Sequence, residues 1–275
     1  MGGVFPAVIL FRHGQTDDNA SRRFQGHAAT PLNALGRDQA RRAGEIVANL
    51  LCSLIKSGSL VVECRSSDLR RAQETAEIVA DVVLSRQGER FVFTEDSRLR
   101  EFCVGGLQGC TVDEFDVVSP GVLKKFYDDY HVNSHDTRYP GEGGESRRMV
   151  AERVAPLVEG ANARWLQAAN NGGARSPFVA DGDVTKHRGE LLLWSAHGGT
   201  IDVILELMQI EGFGHKNVIG NGDVLFLAPV AHMPEHSEKF SAREKFAHSN
   251  NCVLKWKLLR HYQVGDNIAA RLSRK

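Results

Sequence analysis

No run of 18 consecutive apolar residues occurs in this chain, which argues against a helical membrane span. The start, Met1-Gly2-Gly3-Val4-Phe5-Pro6, has neither a cationic stretch nor a long apolar segment, so no secretory leader is expected. Neither sign of charge is in excess: 34 Lys plus Arg face 34 Asp plus Glu, and a polycation that tracks nucleic acid is excluded. Cysteine is scarce and odd in number. Cys52, Cys64, Cys103, Cys110 and Cys252 contain no CxxC pair, so reduced thiols are expected rather than a disulfide framework. The tail Ser273-Arg274-Lys275 is not a peroxisomal Ser-Lys-Leu. These absences predict a cytoplasmic chain with no membrane and no nucleic-acid partner. Nothing in the pattern specifies an oligomeric state.

What is present is a chain of 275 residues, 42% hydrophobic, long enough to bury a full core. Short apolar runs alternate with helical patterns, the signature of an α/β fold with a largely parallel sheet. Strands are predicted at Val8–Phe11, Leu60–Cys64, Phe91–Phe93, Leu191–Trp194, Val224–Leu227 and Val253–Leu259. Asn33 is placed to cap a helix whose stripe runs Ala40, Ala43, Val47, Leu50 and Leu51. Ser66-Ser67-Asp68 starts another, with Ala72, Ala76, Val79 and Val83 at helical spacing. A helix is expected over Glu145–Ala169, kinked or divided by Pro156, and one more over Thr200–Gln209. One domain over 1–275 is the simplest reading, with loop insertions near 110–142, 170–190 and 231–250.

Two of the predicted strands end in His-Gly. Val8-Ile9-Leu10-Phe11 runs into Arg12-His13-Gly14, and Leu191–Trp194 into Ser195-Ala196-His197-Gly198-Gly199. In open α/β sheets ligands bind at the carboxyl ends of strands, where backbone amides can approach an anion, so two imidazoles there can share one phosphate. Arg71 opens a helix that follows a strand and can reach the same edge; its neighbour Arg70 then belongs to the solvated face. Glu101, in Leu99-Arg100-Glu101, is a candidate general acid. Histidine pairs at His131…His135 and His232…His236 have metal-ligand spacing, but polar surface histidines explain both more simply, and Pro234 spoils the second.

Taken in order, these elements resemble the histidine phosphatase superfamily, which contains the cofactor-dependent phosphoglycerate mutases. The resemblance rests on Arg-His-Gly-x-Thr at 12–16 with Asn19, Arg23-Phe24-Gln25-Gly26, and Pro31-Leu32-Asn33-x-x-Gly36-x-x-Gln39-Ala40. It continues through Ser67-Asp68-Leu69-x-Arg71-Ala72-x-x-Thr75-Ala76, Leu99-x-Glu101, Gly143-Gly144-Glu145-Ser146 and the segment at 195–199. It implies a three-layer α/β/α sandwich, with a mostly parallel six-stranded sheet and helices on both faces. It also implies that His13 attacks phosphorus to form a phosphohistidine, while Arg12, Arg71 and His197 hold the phosphoryl oxygens. Glu101 would protonate the leaving oxygen and then activate water. Asn19, Gly14, Thr16, Arg23, Gln25, Gly26, Glu145, Ser146 and Gly198 would line the substrate site, with Gly14 keeping the way clear for phosphate. Neither metal nor cofactor is implied, because arginines supply the positive charge. His13 must be unprotonated and His197 is more useful as a cation, so their pKa values are expected to be pushed apart.

The mutases of this group carry a substrate-gripping arginine pair in Lys-x-Trp-Arg-Arg-x-Tyr. The similar run here, Lys124-Lys125-Phe126-Tyr127-Asp128-Asp129-Tyr130, has Tyr127-Asp128 instead. An acid in that place should repel phosphoglycerate. The resemblance therefore favours a phosphatase of a small phosphorylated metabolite, with mutase second. Arg22, Lys124-Lys125 and Arg147-Arg148 are candidate cations for a sugar phosphate or bisphosphate. A non-catalytic phosphate binder is a third reading, but binding alone does not require both a nucleophile and an acid.

Overall fold

The computed structural model describes residues 6–56, 58–170, 189–210, 219–230 and 255–264. Among these, six strands form one sheet: β1 (Ala7–Arg12), β2 (Leu60–Ser66), β3 (Thr94–Glu95), β4 (Glu190–Ala196), β5 (Val224–Val230) and β6 (Lys255–Tyr262). Their order is β3-β2-β4-β1-β5-β6, parallel from β3 to β1, with β5 antiparallel to both of its neighbours. The helices are α1 (Asp17–Ala20), α2 (Ala34–Lys56), α3 (Arg70–Gln87), α4 (Val112–Val118), α5 (Val122–Val132), α6 (Arg147–Asn170) and α7 (Gly198–Leu207). None of the described helices is long and apolar enough to cross a membrane.

β1 reads Ala-Val-Ile-Leu-Phe-Arg, and every residue but the last is buried. Such a strand needs no polar alternation because both of its faces are covered. Ala7, Ile9 and Phe11 pack with α2 and α3, whereas Val8 and Leu10 pack with α6 and α7. That division creates the three α/β/α layers, and each large side chain so buried contributes roughly 1.5–3 kcal/mol. Asn33 caps α2 as expected, its Oδ1 accepting from Gly36 N–H at 2.8 Å. The segment near 110–142 contains α4 and α5, over a separate small core of Val104, Leu107, Phe115, Leu123 and Phe126.

Three local expectations are corrected. The third strand is Thr94–Glu95, not Phe91–Phe93. Phe93 sets its ring edge-on to Phe11, centroids 5.9 Å apart, so its apolar character reflects packing while the ladder forms at Arg65↔Thr94 and Ser66↔Glu95. Pro156 does not divide its helix, which runs on through it. Pro156 is exposed, so water can meet the Glu152 carbonyl it frees, while Val154, Leu157 and Val158 keep the buried face docked. The helix expected from Thr200 begins at Gly198, with His197 as its N-cap. Of the insertions at 170–190 and 231–250, only residues 170, 189 and 190 lie within the described residues.

Candidate active site

Register brings the two histidines together. β1 and β4 are paired with Arg12 opposite Ala196, so His13 and His197 leave the sheet side by side. Their ring centroids are 5.0 Å apart, and His13 N–H donates to the Ala196 carbonyl at 3.1 Å. β2 lies on the other side of β4, and α3 follows it, carrying Arg71 to the same edge at 1% exposure while Arg70 faces solvent. Arg12, His13, Arg71 and Glu101 share the lining of a cavity of about 380 Å³.

The ring of His13 is held in one tautomer. Its Nδ1 lies 2.7 Å from the Gly14 carbonyl, which can only accept, so Nδ1 carries the proton and Nε2 keeps its lone pair. Burial drives the His13 pKa well below the usual 6.5, and the charges of Arg71 and Arg12 drive it further the same way. His197 stands with Nε2 2.9 Å from Ser67 Oγ, and its buried Nδ1 has no hydrogen-bond partner. Its pKa is also pushed well below 6.5, by burial first and then by Arg71, His13 and Arg12. The expected opposite shifts are thus corrected: both rings share one buried, positive environment that lowers both pKa values.

Two guanidiniums face this pair. Arg12 Nη1 donates to the Ile219 carbonyl at 2.5 Å; Arg71 donates to the carbonyls of Ala28 and Gly26 at 2.9 and 2.8 Å. Burial lowers both pKa values, that of Arg71 to about 10. The Nε of each is buried without a hydrogen-bond partner. Buried cations satisfied only by neutral carbonyls are costly to keep, and an anion relieves that cost. Glu101 is fixed at the start of α7: one oxygen accepts from Gly199 N–H at 3.1 Å, the other from Thr200 N–H at 3.2 Å and Phe102 N–H at 3.0 Å. A Cβ on Gly199 would come within 2.6 Å of that carboxylate, so glycine is what lets it sit there.

Of the further residues expected to line the site, Asn19, Arg23, Gln25, Gly26 and Glu145 do so. Gly14, Thr16, Ser146 and Gly198 are not in the lining and act behind it. Gly14 is glycine because a Cβ there would lie 2.2 Å from the Gly36 carbonyl oxygen; clearance for α2, not for phosphate, sets it. Thr16 Oγ1 caps α1 and donates to Gln25 Oε1 at 3.0 Å. Ser146 Oγ accepts from Met149 N–H at 3.4 Å at the start of α6, and Gly198 lies against Arg12. The motif reading passed over Phe102, Tyr139 and Asp202, and gave no site role to Phe24 and Tyr130, which also line the cavity. Asp202 had a signal: it lies one helical turn beyond Gly199. Among the described residues, no group of three or more His, Cys, Asp or Glu is placed to share a metal ion. His135 lies 3.8 Å from Glu206, and His232 and His236 lie outside the described residues.

The similarity of this chain to known proteins points to one family. The sequence profile of the histidine phosphatase superfamily (branch 1) matches residues 8–221. A glucosyl-3-phosphoglycerate phosphatase of Mycolicibacterium vanbaalenii is 40% identical over 151 residues, 55% of this chain and 57% of that protein. The match thus spans little more than half of that relative's length. Phosphoglycerate mutase-like protein 4 of Arabidopsis thaliana is 31% identical over 202 residues, 74% of this chain and 70% of the relative. The solved structure of a mycobacterial glucosyl-3-phosphoglycerate phosphatase complexed with VO3 superposes with a TM-score of 0.57 at 27% identity, covering 92% of this chain and 96% of that one. With the profile running across most of its length, including both histidine segments, this chain belongs to the histidine phosphatase superfamily, branch 1.

Proposed function

We propose that this protein hydrolyses the phosphomonoester of a small phosphorylated metabolite, a phosphorylated sugar, through a phosphohistidine at His13. One observation carries the reading: the nitrogens Arg12 Nε, Arg71 Nε and His197 Nδ1 are buried without hydrogen-bond partners on residues around the His13 ring. A phosphoryl group supplies the acceptors and the negative charge they lack. His13 Nε2 attacks phosphorus in line; the P–O bond to the leaving group breaks as the P–N bond forms, and Glu101 gives the leaving oxygen its proton. Water then attacks the phosphohistidine, Glu101 takes its proton, the P–N bond breaks and inorganic phosphate departs. Arg12 and Arg71 stabilise the charge on the equatorial oxygens through both steps. They supply the positive charge that a metal provides elsewhere, so turnover should be unaffected by a chelator.

Relatives named glucosyl-3-phosphoglycerate phosphatase support hydrolysis of a sugar-containing phosphoester. Others carry mutase names. On α5, where mutases of this group place their arginine pair, Asp128 binds Lys124 at 2.7 Å and Tyr127 is 42% exposed, which supports hydrolase over mutase. The cytoplasm is the proposed compartment, supported by the free thiols of Cys52, Cys64, Cys103 and Cys110. The test is a panel of phosphorylated sugars and glycerates assayed by phosphate release, beside a coupled assay for interconversion of 3- and 2-phosphoglycerate. Phosphate release that outpaces isomerisation is expected; isomerisation without release would replace this reading with the mutase.

A further inference from the structure

Ser67 stands at the head of Ser67-Asp68-Leu69-x-Arg71-Ala72, yet no step of the proposed reaction uses it. It follows β2 directly, and its N–H donates to the Ser195 carbonyl of β4 at 2.9 Å. The pairing of β2 with β4 therefore sets it beside the strand end that carries His197. Ser67 is fully buried, and among the described residues its Oγ has two partners. Leu69 N–H donates to it at 3.2 Å, and His197 Nε2 lies 2.9 Å away. His197 is fully buried as well, and its Nδ1 has no hydrogen-bond partner.

A serine hydroxyl has one proton to give and lone pairs that accept. Leu69 N–H can only donate, so it uses a lone pair of Ser67 Oγ. Of the two partners, His197 Nε2 alone can then accept the hydroxyl proton. Were Nε2 protonated, in a neutral ring or a cation, Oγ would accept twice and its own O–H would stay buried without a partner, which costs free energy. Resting on the hydrolase reading above, we propose that Ser67 is a positioning residue that fixes the tautomer of His197, so that His197 offers Nδ1–H to the phosphoryl group as a neutral donor. The ring's one proton is then on the nitrogen that lacks an acceptor in the protein, and a phosphoryl oxygen supplies it. The low pKa of His197, set by burial and then by Arg71, accords with a neutral ring. His13, with its ring centroid 5.0 Å away, carries its proton on Nδ1 too, but spends it on the Gly14 carbonyl. The two rings share a tautomer and are anchored through opposite nitrogens. One is left with a lone pair for phosphorus, the other with an N–H for a phosphoryl oxygen.

The test is a long-range proton–nitrogen NMR spectrum of the full chain with isotope-labelled histidine, recorded at neutral pH without phosphate. The His197 signals are identified by their loss in His197→Asn. A proton on Nδ1 and a bare Nε2 are expected in the wild type, a readout that does not depend on turnover. In Ser67→Ala the preference for that tautomer should be lost. With it, kcat/KM for p-nitrophenyl phosphate should fall by about tenfold or more, and the Kd for vanadate should rise by about tenfold, as one donor to the phosphoryl group is lost. A proton on Nε2 in the wild type, alone or beside one on Nδ1, overturns the proposal, and this spectrum decides even where Ser67→Ala fails to fold. A folded Ser67→Ala with an unchanged His197 spectrum, or with both kcat/KM and vanadate affinity unchanged, also overturns it. Absence of p-nitrophenyl phosphate turnover in the wild type counts against the hydrolase reading instead; the spectrum and vanadate affinity then decide the role of Ser67.

Discussion

His13 and Glu101 owe their proposed roles to different surroundings. The His13 ring is neutral because it is buried beside two guanidiniums, and it is oriented because Gly14 accepts its Nδ1 proton. With its pKa well below 6.5, kcat/KM should hold as pH falls through 6.5 and decline only in more acid solution. An acid limb that titrates at or above 6.5 contradicts this. Glu101 is a proton donor to the leaving oxygen, so Glu101→Gln should lower kcat by about 100-fold or more on a sugar phosphate. On p-nitrophenyl phosphate, whose leaving group departs without a proton, the loss should be much smaller. Equal losses on the two substrates would remove the acid role. The residues at issue were legible because each sits at a strand end or a helix start, where position follows from local pattern. Arg71 was separable from Arg70 by its place in Ser67-Asp68-Leu69-x-Arg71-Ala72, with which its burial agrees, but the aromatic wall was not legible. Phe24, Phe102, Tyr130 and Tyr139 come from segments with no shared period, and only the folded chain brings them together.

Elements hold the site by close backbone approach. A Cβ on Gly36 of α2 would lie 2.0 Å from the Gln15 carbonyl oxygen, so α2 rests directly on the loop that follows β1. Gly36→Ala should destabilise the fold by about 1–3 kcal/mol and displace that loop. Urea unfolding read by far-ultraviolet circular dichroism checks it, and an unchanged midpoint would show that α2 is not so tightly seated. The helices and central strands could be read from periodicity because burial imposes it: the β1 faces and the α2 stripe are direct imprints of the two cores. The edge strand was misplaced for the same reason turned round. Phe91 and Phe93 are apolar because they cover the core, whereas Thr94 and Glu95, which form the ladder, are exposed.

Across the whole molecule, two neutral buried histidines link stability to pH. Unfolded, each takes a proton near 6.5; folded, each resists it, so the unfolded state binds more protons below 6.5. Stability is therefore full above about pH 6.5 and falls as pH drops below it, by up to about 1.4 kcal/mol per pH unit per ring. Urea midpoints at pH 7.5 and 5.5 should show that loss, and His13→Asn, which keeps a donor for Gly14, should lessen it. The same loss in both proteins would mean that other groups carry it. The α/β layering and the order of the motifs were visible in the chain, but not the charge balance of the cavity. Arg147 meets Asp202 and Glu206 across 55 and 59 residues, a pairing no local pattern encodes. Covalent chemistry at one atom, Nε2 of His13, is the centre of the proposed reaction. Acid-sensitive, alkali-stable phosphate should be trapped on His13 during turnover, located by mass spectrometry of the rapidly quenched enzyme, and both label and turnover should vanish in His13→Ala. Wild-type turnover by His13→Ala, or label on any other residue, would contradict it.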